Sequence, residues 1–242
     1  MGSFDENSPQ LALTPTQELF REAWQVYRKM VDNDYLSHKG AYGCLHRILI
    51  DEIGRPFRFL DIACGDASMS VEALRNTAVI RYDGIDISWQ ALEIASANLS
   101  CLQCPTLLHE GDFAEVLANW RDKADVAWIG LSLHHFQTPE KLAVMLNIRR
   151  ILEENGQLLI YEDASPDGEN REAWMSRWDA QKPLWTAYDD TEWNFVTAHV
   201  HSSDFPETDA VWRELGREAG FRHVDEHFVS PSGLFRLYGF KV

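Results

Sequence analysis

PFRFLDIACGDASMSVEAL, residues 56–74, reads as a short apolar run, a turn containing Gly65, and a helix whose first turn holds Asp66 and Ser68. The same order of strand, tight loop and helix recurs in VIRYDGIDIS (79–88) with WQALEIASANL (89–99), and in PTLLHEGD (105–112) with FAEVLANW (113–120). It returns once more in ADVAWIG (124–130), a loop, and PEKLAVMLNIRRILEEN (139–155), where Leu142, Met145, Ile148 and Leu152 line one face. GQLLIYED (156–163) closes the series as a fifth strand. Strands that alternate with helices and are themselves nearly all apolar predict a parallel sheet, covered on both faces and wound by right-handed crossovers.

Working outward, the alternation breaks after Asp163, and a Trp-rich stretch precedes RHVDEHFVS (222–230) and LFRLYGFKV (234–242). Pro231, Ser232 and Gly233 separate these two runs, which predicts an antiparallel hairpin. On the N-terminal side, Leu19, Ala23, Val26 and Met30 recur at helical spacing, with Phe20, Trp24, Tyr27 and Val31 on the adjacent face. A second helix over 38–53 should stop at Gly54 and Pro56. Residues 1–14 are polar and aperiodic, and are expected to be flexible. The fold expected is α/β: a doubly wound, mostly parallel seven-stranded sheet with an antiparallel C-terminal hairpin, helices before the first strand, and a helical Trp-rich insertion after the fifth.

The 242 residues carry 22 Lys and Arg against 38 Asp and Glu, a net charge of −16. Such a surface repels a polyanion, so no nucleic-acid partner is expected. No run approaches the roughly 20 apolar residues of a membrane span, and MGSFDENSPQ has neither the basic nor the apolar region of a signal peptide. A cytoplasmic protein without a membrane partner, monomeric or homodimeric, is expected. Cys101 and Cys104 form a C-x-x-C without a second pair or spaced histidines, and together with Cys44 and Cys64 they read as ordinary reduced thiols. No metal site is expected.

An open α/β sheet places its ligand at the carboxyl ends of its strands. The first such end lacks two of the three glycines of a dinucleotide fingerprint, with Ala63 and Ser68 at those positions. Instead DIACGD (61–66) resembles the first motif, D/E-x-G-x-G, of the class I S-adenosylmethionine-dependent methyltransferases, with Ala63 for its first glycine. Three more landmarks follow in order at strand ends: Asp86 closing YDGID, Asp112 and Phe113 in EGDF, and LSLHHF (131–136). FVSPSGLFRLYGFKV resembles the family's final hairpin. The likeness is close over 57–162 and looser over 208–242.

The resemblance implies S-adenosylmethionine as cofactor, S-adenosylhomocysteine as product, and a single domain over 15–242. Within it fall a helical lid (15–55), a cofactor-binding core (56–163), a substrate-cap insertion (164–206), and a last helix with the hairpin (207–242). Ala63, Cys64, Gly65 and Asp66 would form the cofactor loop, where Gly65 lets the backbone approach the methionine and ribose. Asp66 fits equally as a cap for the following helix. Asp61 would sit near the cofactor's amino group, directly or through water, and Asp86 suits a ribose diol because a carboxylate has acceptor capacity on both oxygens. Asp112 can accept from the adenine amine, with Phe113 or Ile87 against the ring and Leu131 completing the wall.

The reaction implied is in-line methyl transfer to a nitrogen or oxygen of a small-molecule acceptor, to which the protein contributes positioning, water exclusion and a base. Candidates facing the acceptor are His134 and His135, whose side chains titrate near neutrality, together with Tyr35 and His38 from the lid. Some of Trp174, Trp178, Trp185 and Trp193 are expected to touch substrate. Asp179, Asp189, Asp190 and Glu192 lie among them and form either a solvated acidic face or, with the rings, a site for a cationic amine. Two further readings stay open: non-methyl sulfonium chemistry, and a cofactor-binding regulatory or scaffold subunit without turnover. The Asn/Asp-Pro-Pro-aromatic motif of base-amine methylation and the Pro-Cys of cytosine methylation are both absent where GLSLHHF stands.

Overall fold

A computed structural model of the chain describes residues 25–242. The expectations for residues 1–14, and for the turns holding Leu19, Phe20, Ala23 and Trp24, lie outside the described residues. Helix α1 runs over 25–32, and α2 (His38–Arg47) continues without a break into a π-helical turn, Ile48–Ile53. That helix ends where expected: Gly54 takes φ +53°, the left-handed conformation that glycine enters without a Cβ penalty, and its N–H donates to the Leu49 carbonyl.

From there the predicted alternation holds. β1 (Phe57–Ile62), α3 (Ser68–Leu74), β2 (Val79–Asp86), α4 (Trp89–Leu99), β3 (Thr106–Glu110) and α5 (Phe113–Asn119) come first. β4 (Ala124–Gly130), α6 (Thr138–Ile151) and β5 (Leu152–Ser165) follow. The strand order is β3-β2-β1-β4-β5-β8-β7, where β7 is His223–Val229 and β8 is Phe235–Lys241. β8 lies antiparallel to both neighbours, while the pairs from β3 through β5 are parallel. Apolar residues fill both faces: Phe57, Phe59, Trp128, Leu159 and Tyr161 on one, and Leu60, Ile62, Ile129, Leu158 and Ile160 on the other. Successive side chains of a strand point to opposite faces, so a sheet buried on both sides shows no polar alternation.

The structure adds an eighth strand to the expected seven. β6 is only Glu207–Thr208, and it pairs in parallel with Ala164 and Ser165 at the end of β5. The insertion, containing α7 (Arg171–Asp179) and α8 (Asp190–Ser203), therefore starts and finishes at one point beside the strand ends. Lys141 of α6, wholly buried, secures that point by donating to the Phe205 carbonyl and to Glu207 Oε1. α9 (Asp209–Glu218) then leads into the hairpin.

The segment over 25–53 and the insertion close over the same end of the sheet and are fastened to each other. Lys29 Nζ pairs with Glu192 at 2.6 Å, and the Tyr188 hydroxyl donates to the Val26 carbonyl at 2.7 Å. The Tyr35 hydroxyl accepts from Ala187 N–H at 2.8 Å, and its ring stacks on Trp185 with centroids 4.7 Å apart. No helix among the described residues is long and apolar enough to cross a membrane.

Candidate active site

A cavity of about 860 Å³ opens at the carboxyl ends of β1, β2 and β4, beneath α1 and the insertion. Its floor is the loop after β1. Ala63, Gly65 and Ala67 all take left-handed conformations, with φ of 55°, 54° and 54°. Left-handed residues at every second position turn the backbone tightly and aim successive N–H groups to one side. Gly65 has open space where a Cβ would stand, so the chain can be approached closely there. Ala63 adopts the geometry of the glycine it replaces and bears the steric cost of doing so.

Asp86 holds this loop in shape. Its Oδ2 accepts from Gly65 N–H and its Oδ1 from Ser88 N–H, both at 2.8 Å. Each oxygen keeps a lone pair toward the cavity, which Asp86 lines. Asp66 accepts from the backbone and hydroxyl of Ser68 and so fixes the start of α3 while also lining the cavity. Asp112 caps α5 through Ala114 N–H at 2.8 Å and remains exposed on its other side. Cys64, Ile87, Phe113 and Leu131 complete this half of the wall, with Phe113 packed against Phe136. Burial pushes the Cys64 thiol well up, so it stays neutral.

Asp61 is placed differently from expectation. It is buried under the loop, 1% exposed, and does not reach the cavity wall. Its Oδ2 accepts from the Tyr82 hydroxyl at 2.7 Å, and Ser70 supplies a second hydrogen bond. Burial outweighs those bonds and raises its carboxyl to about 6.

The other half of the cavity gathers the histidines. His134 sits in the turn after β4 and donates from Nδ1 to Glu162 Oε2 at 2.8 Å. Glu162, at the end of β5, also accepts from Ser132 and Leu133 N–H, each at 2.6 Å, and pins the whole turn. Burial alone would raise this carboxyl, but His134 and the two N–H groups hold it below the usual carboxylate range. His134 shows the opposite balance: burial would lower it, yet the charges of Asp163, Glu162 and Asp204 raise it to about 10. The neighbouring carboxylates hold a proton on this ring, which makes it a poor base near neutrality while it still lines the cavity. Asp163, buried beside it, is pushed up by desolvation and by Asp204 and Glu162.

His135 and His199 line the cavity with rings 5.3 Å apart. His38, the first residue of α2, faces the same space with Nδ1 buried and unpartnered. Burial lowers it to about 4, so its ring is neutral. Tyr35 does not line the cavity; its hydroxyl and ring are used in the contacts with Ala187 and Trp185, which makes it a packing residue.

Of the four tryptophans, some of which were expected to touch substrate, one is placed where it could. Trp174, Trp178, Trp185 and Trp193 are all buried and pack on one another, and of the four only Trp178 reaches the cavity. The nearby acids are engaged elsewhere: Asp179 with His201, Asp190 with Lys182, Asp189 in capping α8, and Glu192 with Lys29. The cationic-amine site is therefore not assembled, because no carboxylate of this group faces the cavity. Cys101 and Cys104 are free thiols, the first exposed and the second half-buried.

Glu162, Asp163 and Asp204 were not anticipated. Glu162 and Asp163 left one trace, two acids ending an otherwise apolar strand, while Asp204 left none.

A family model described as a methyltransferase domain matches residues 59–156. Among solved structures the chain is similar to the S-adenosylmethionine-dependent methyltransferase SibL in its apo form, at 18% identity and a TM-score of 0.62, over 95% of this chain and 59% of that one. It is similar to an O-methyltransferase family protein from Burkholderia thailandensis at 17% and 0.61, over 88% and 57%. It is also similar to magnesium protoporphyrin IX methyltransferase (ChlM) from Synechocystis with bound S-adenosylhomocysteine, at 15% and 0.60, over 93% and 94%. The chain spans less than two thirds of the length of the first two, and at these identities the likeness is one of fold. No curated protein matches the chain.

Proposed function

Since a methyltransferase-domain model matches residues 59–156, we propose that the protein transfers a methyl group from S-adenosylmethionine to a nitrogen or oxygen of a small-molecule acceptor. The observation that carries this reading is one continuous cavity with two chemically distinct halves. One is a glycine loop with carboxylates at successive strand ends, and the other is ringed by imidazoles.

The cofactor half fits its ligand. Open space at Gly65 admits the methionine and ribose portions, Asp86 has lone pairs left for a diol, and Asp112 and Phe113 stand where an adenine would end. Asp61 acts from behind the loop rather than from the wall. When bound, S-adenosylmethionine supplies a methyl group already activated by its sulfonium.

The chain's own residues supply the surroundings. The fastened roof of α1 and the insertion excludes water. His38 presents a neutral ring whose Nδ1 offers a donor or an acceptor to the acceptor molecule, according to its tautomer. With its basicity so reduced, it orients the nucleophile better than it removes a proton.

The test is incubation with deuteromethyl-labelled S-adenosylmethionine and a small-molecule extract, followed by mass spectrometry, alongside calorimetry with S-adenosylhomocysteine. A labelled metabolite and saturable binding are expected. Asp86→Ala should weaken that binding by about 1–3 kcal/mol, because it removes an acceptor for charged hydrogen bonds and frees Gly65. No binding by the wild-type chain overturns the reading. Cofactor consumed without S-adenosylhomocysteine replaces it with other sulfonium chemistry.

A further inference from the structure

The turn after β4 and the end of α8 bring three potential metal ligands together on the cavity wall. Asp204 Oδ1 lies 3.3 Å from His135 Nδ1 and 3.9 Å from His134 Nε2. One ligand atom from each of the three residues lies within 4.8 Å of the others. Asp204 is only 5% exposed, and this same Oδ1 has no hydrogen-bond partner. A buried carboxylate oxygen left without a hydrogen bond is costly, and it marks a place where a cation is accommodated.

The support behind these groups is also of the right kind. Glu162 holds His134 by Nδ1, which orients the ring and turns Nε2 toward Asp204. A carboxylate behind an imidazole is the arrangement that fixes ligating histidines. His199 stands next to His135 on the same wall, 5.3 Å between ring centroids.

We propose that His134, His135 and Asp204 bind one divalent first-row transition-metal ion, with its remaining positions open to the cavity. Two imidazoles and one carboxylate form a borderline nitrogen and oxygen donor set that suits zinc, manganese or ferrous iron, whereas magnesium and calcium prefer oxygen alone. Three protein ligands leave room for an exogenous oxygen, and a hydroxyl bound there becomes more acidic. The acidified hydroxyl would release its proton to solvent water without a side-chain base, and this narrows the acceptor class to one offering a chelating hydroxyl. That narrowing rests on the methyl-transfer reading; binding of the ion does not.

The experiment uses the full chain, stripped with chelator and without S-adenosylmethionine. Cobalt(II) is added and followed by its visible absorption, and zinc is titrated by calorimetry. One ion per chain is expected, with a visible band of nitrogen and oxygen ligation. Asp204→Asn and His135→Gln should each weaken binding by at least the roughly tenfold that loss of even an outer partner brings. Circular dichroism and S-adenosylhomocysteine affinity report whether each variant is folded, and the half-exposed His135 is the site less tied to folding. Absence of a saturable one-to-one cobalt signal overturns the proposal, as does unchanged affinity in folded His135→Gln. A one-to-one signal lost in that variant, in a chain that fails to bind S-adenosylhomocysteine, upholds the metal site and overturns the methyl-transfer reading instead.

Discussion

Asp61→Asn should make the protein more stable at neutral pH and, in doing so, expose an acid sensitivity that the wild type conceals. The Asp61 carboxyl is raised from 3.8 to about 6, so the native state holds a proton that the unfolded chain has released. Stability from this group is therefore present at low pH and lost as pH climbs through that window, a loss of about 3 kcal/mol by pH 7. His38 runs the other way. Lowered from 6.5 to about 4, it stays neutral when folded while the unfolded chain takes up a proton, so about 3 kcal/mol is lost as pH falls from 7 to 4. The two slopes nearly cancel. Asparagine preserves the shape, accepts from the Tyr82 hydroxyl, and can donate to Ser70, but it has no charge to desolvate.

Urea unfolding of both proteins from pH 4 to 8 tests this. The difference between variant and wild type should grow from about half a kcal/mol at pH 4 to about 3 kcal/mol at pH 7. The variant's own stability should fall steeply below pH 6.5, and His38→Gln in the Asp61→Asn background should flatten that fall. A difference independent of pH, or a variant less stable than wild type at pH 7, would refute the reasoning.

Lys141→Met should cost about 1–3 kcal/mol in unfolding free energy, because the half-buried Phe205 carbonyl and Glu207 lose its ammonium and Glu207 keeps only the Thr138 hydroxyl. Ala63→Gly relieves a left-handed alanine against the entropy of a freer unfolded chain, so thermal melts should show a gain of roughly 0–1 kcal/mol with cofactor affinity retained. A loss above about 1 kcal/mol would mean that the alanine methyl packs usefully. Tyr35→Phe keeps the stack on Trp185 and loses the bond from Ala187; destabilisation of about 0.5–1.5 kcal/mol with unchanged methyl transfer is expected, and a turnover defect would return Tyr35 to the catalytic set.

The core of the fold was legible because burial on both faces writes itself into composition: VAWI and LLIY admit few readings besides interior strands. The cofactor half was legible for a related reason, since each residue there lies within a few positions of a strand end whose place in the sheet the topology dictates. The histidine half was not. Whether His134 is a base or an imidazolium depends on Glu162 and Asp204, 28 and 70 positions away, and side-chain partners at that range leave no period. Asp61 shows the same limit, since a motif position does not reveal which side of the loop the carboxylate takes. Which of the tryptophans reaches the cavity was not legible, because the density of rings is visible in a sequence and their mutual packing is not. β6, two residues long, has too little pattern to announce itself.

The fastening of residues 25–53 to the insertion bears on how such a protein can change its acceptor. Tyr35 on Trp185, Tyr188 on Val26 and Lys29 on Glu192 join stretches separated by some 150 positions of sequence, with the first five strands of the sheet lying between them in the chain. Grafting residues 164–206 alone onto a related domain would bring half of each clasp and leave orphaned rings and an unpaired lysine at the mouth. The two segments must therefore be exchanged together, as a lock and its keeper are, while the sheet beneath them stays as it is.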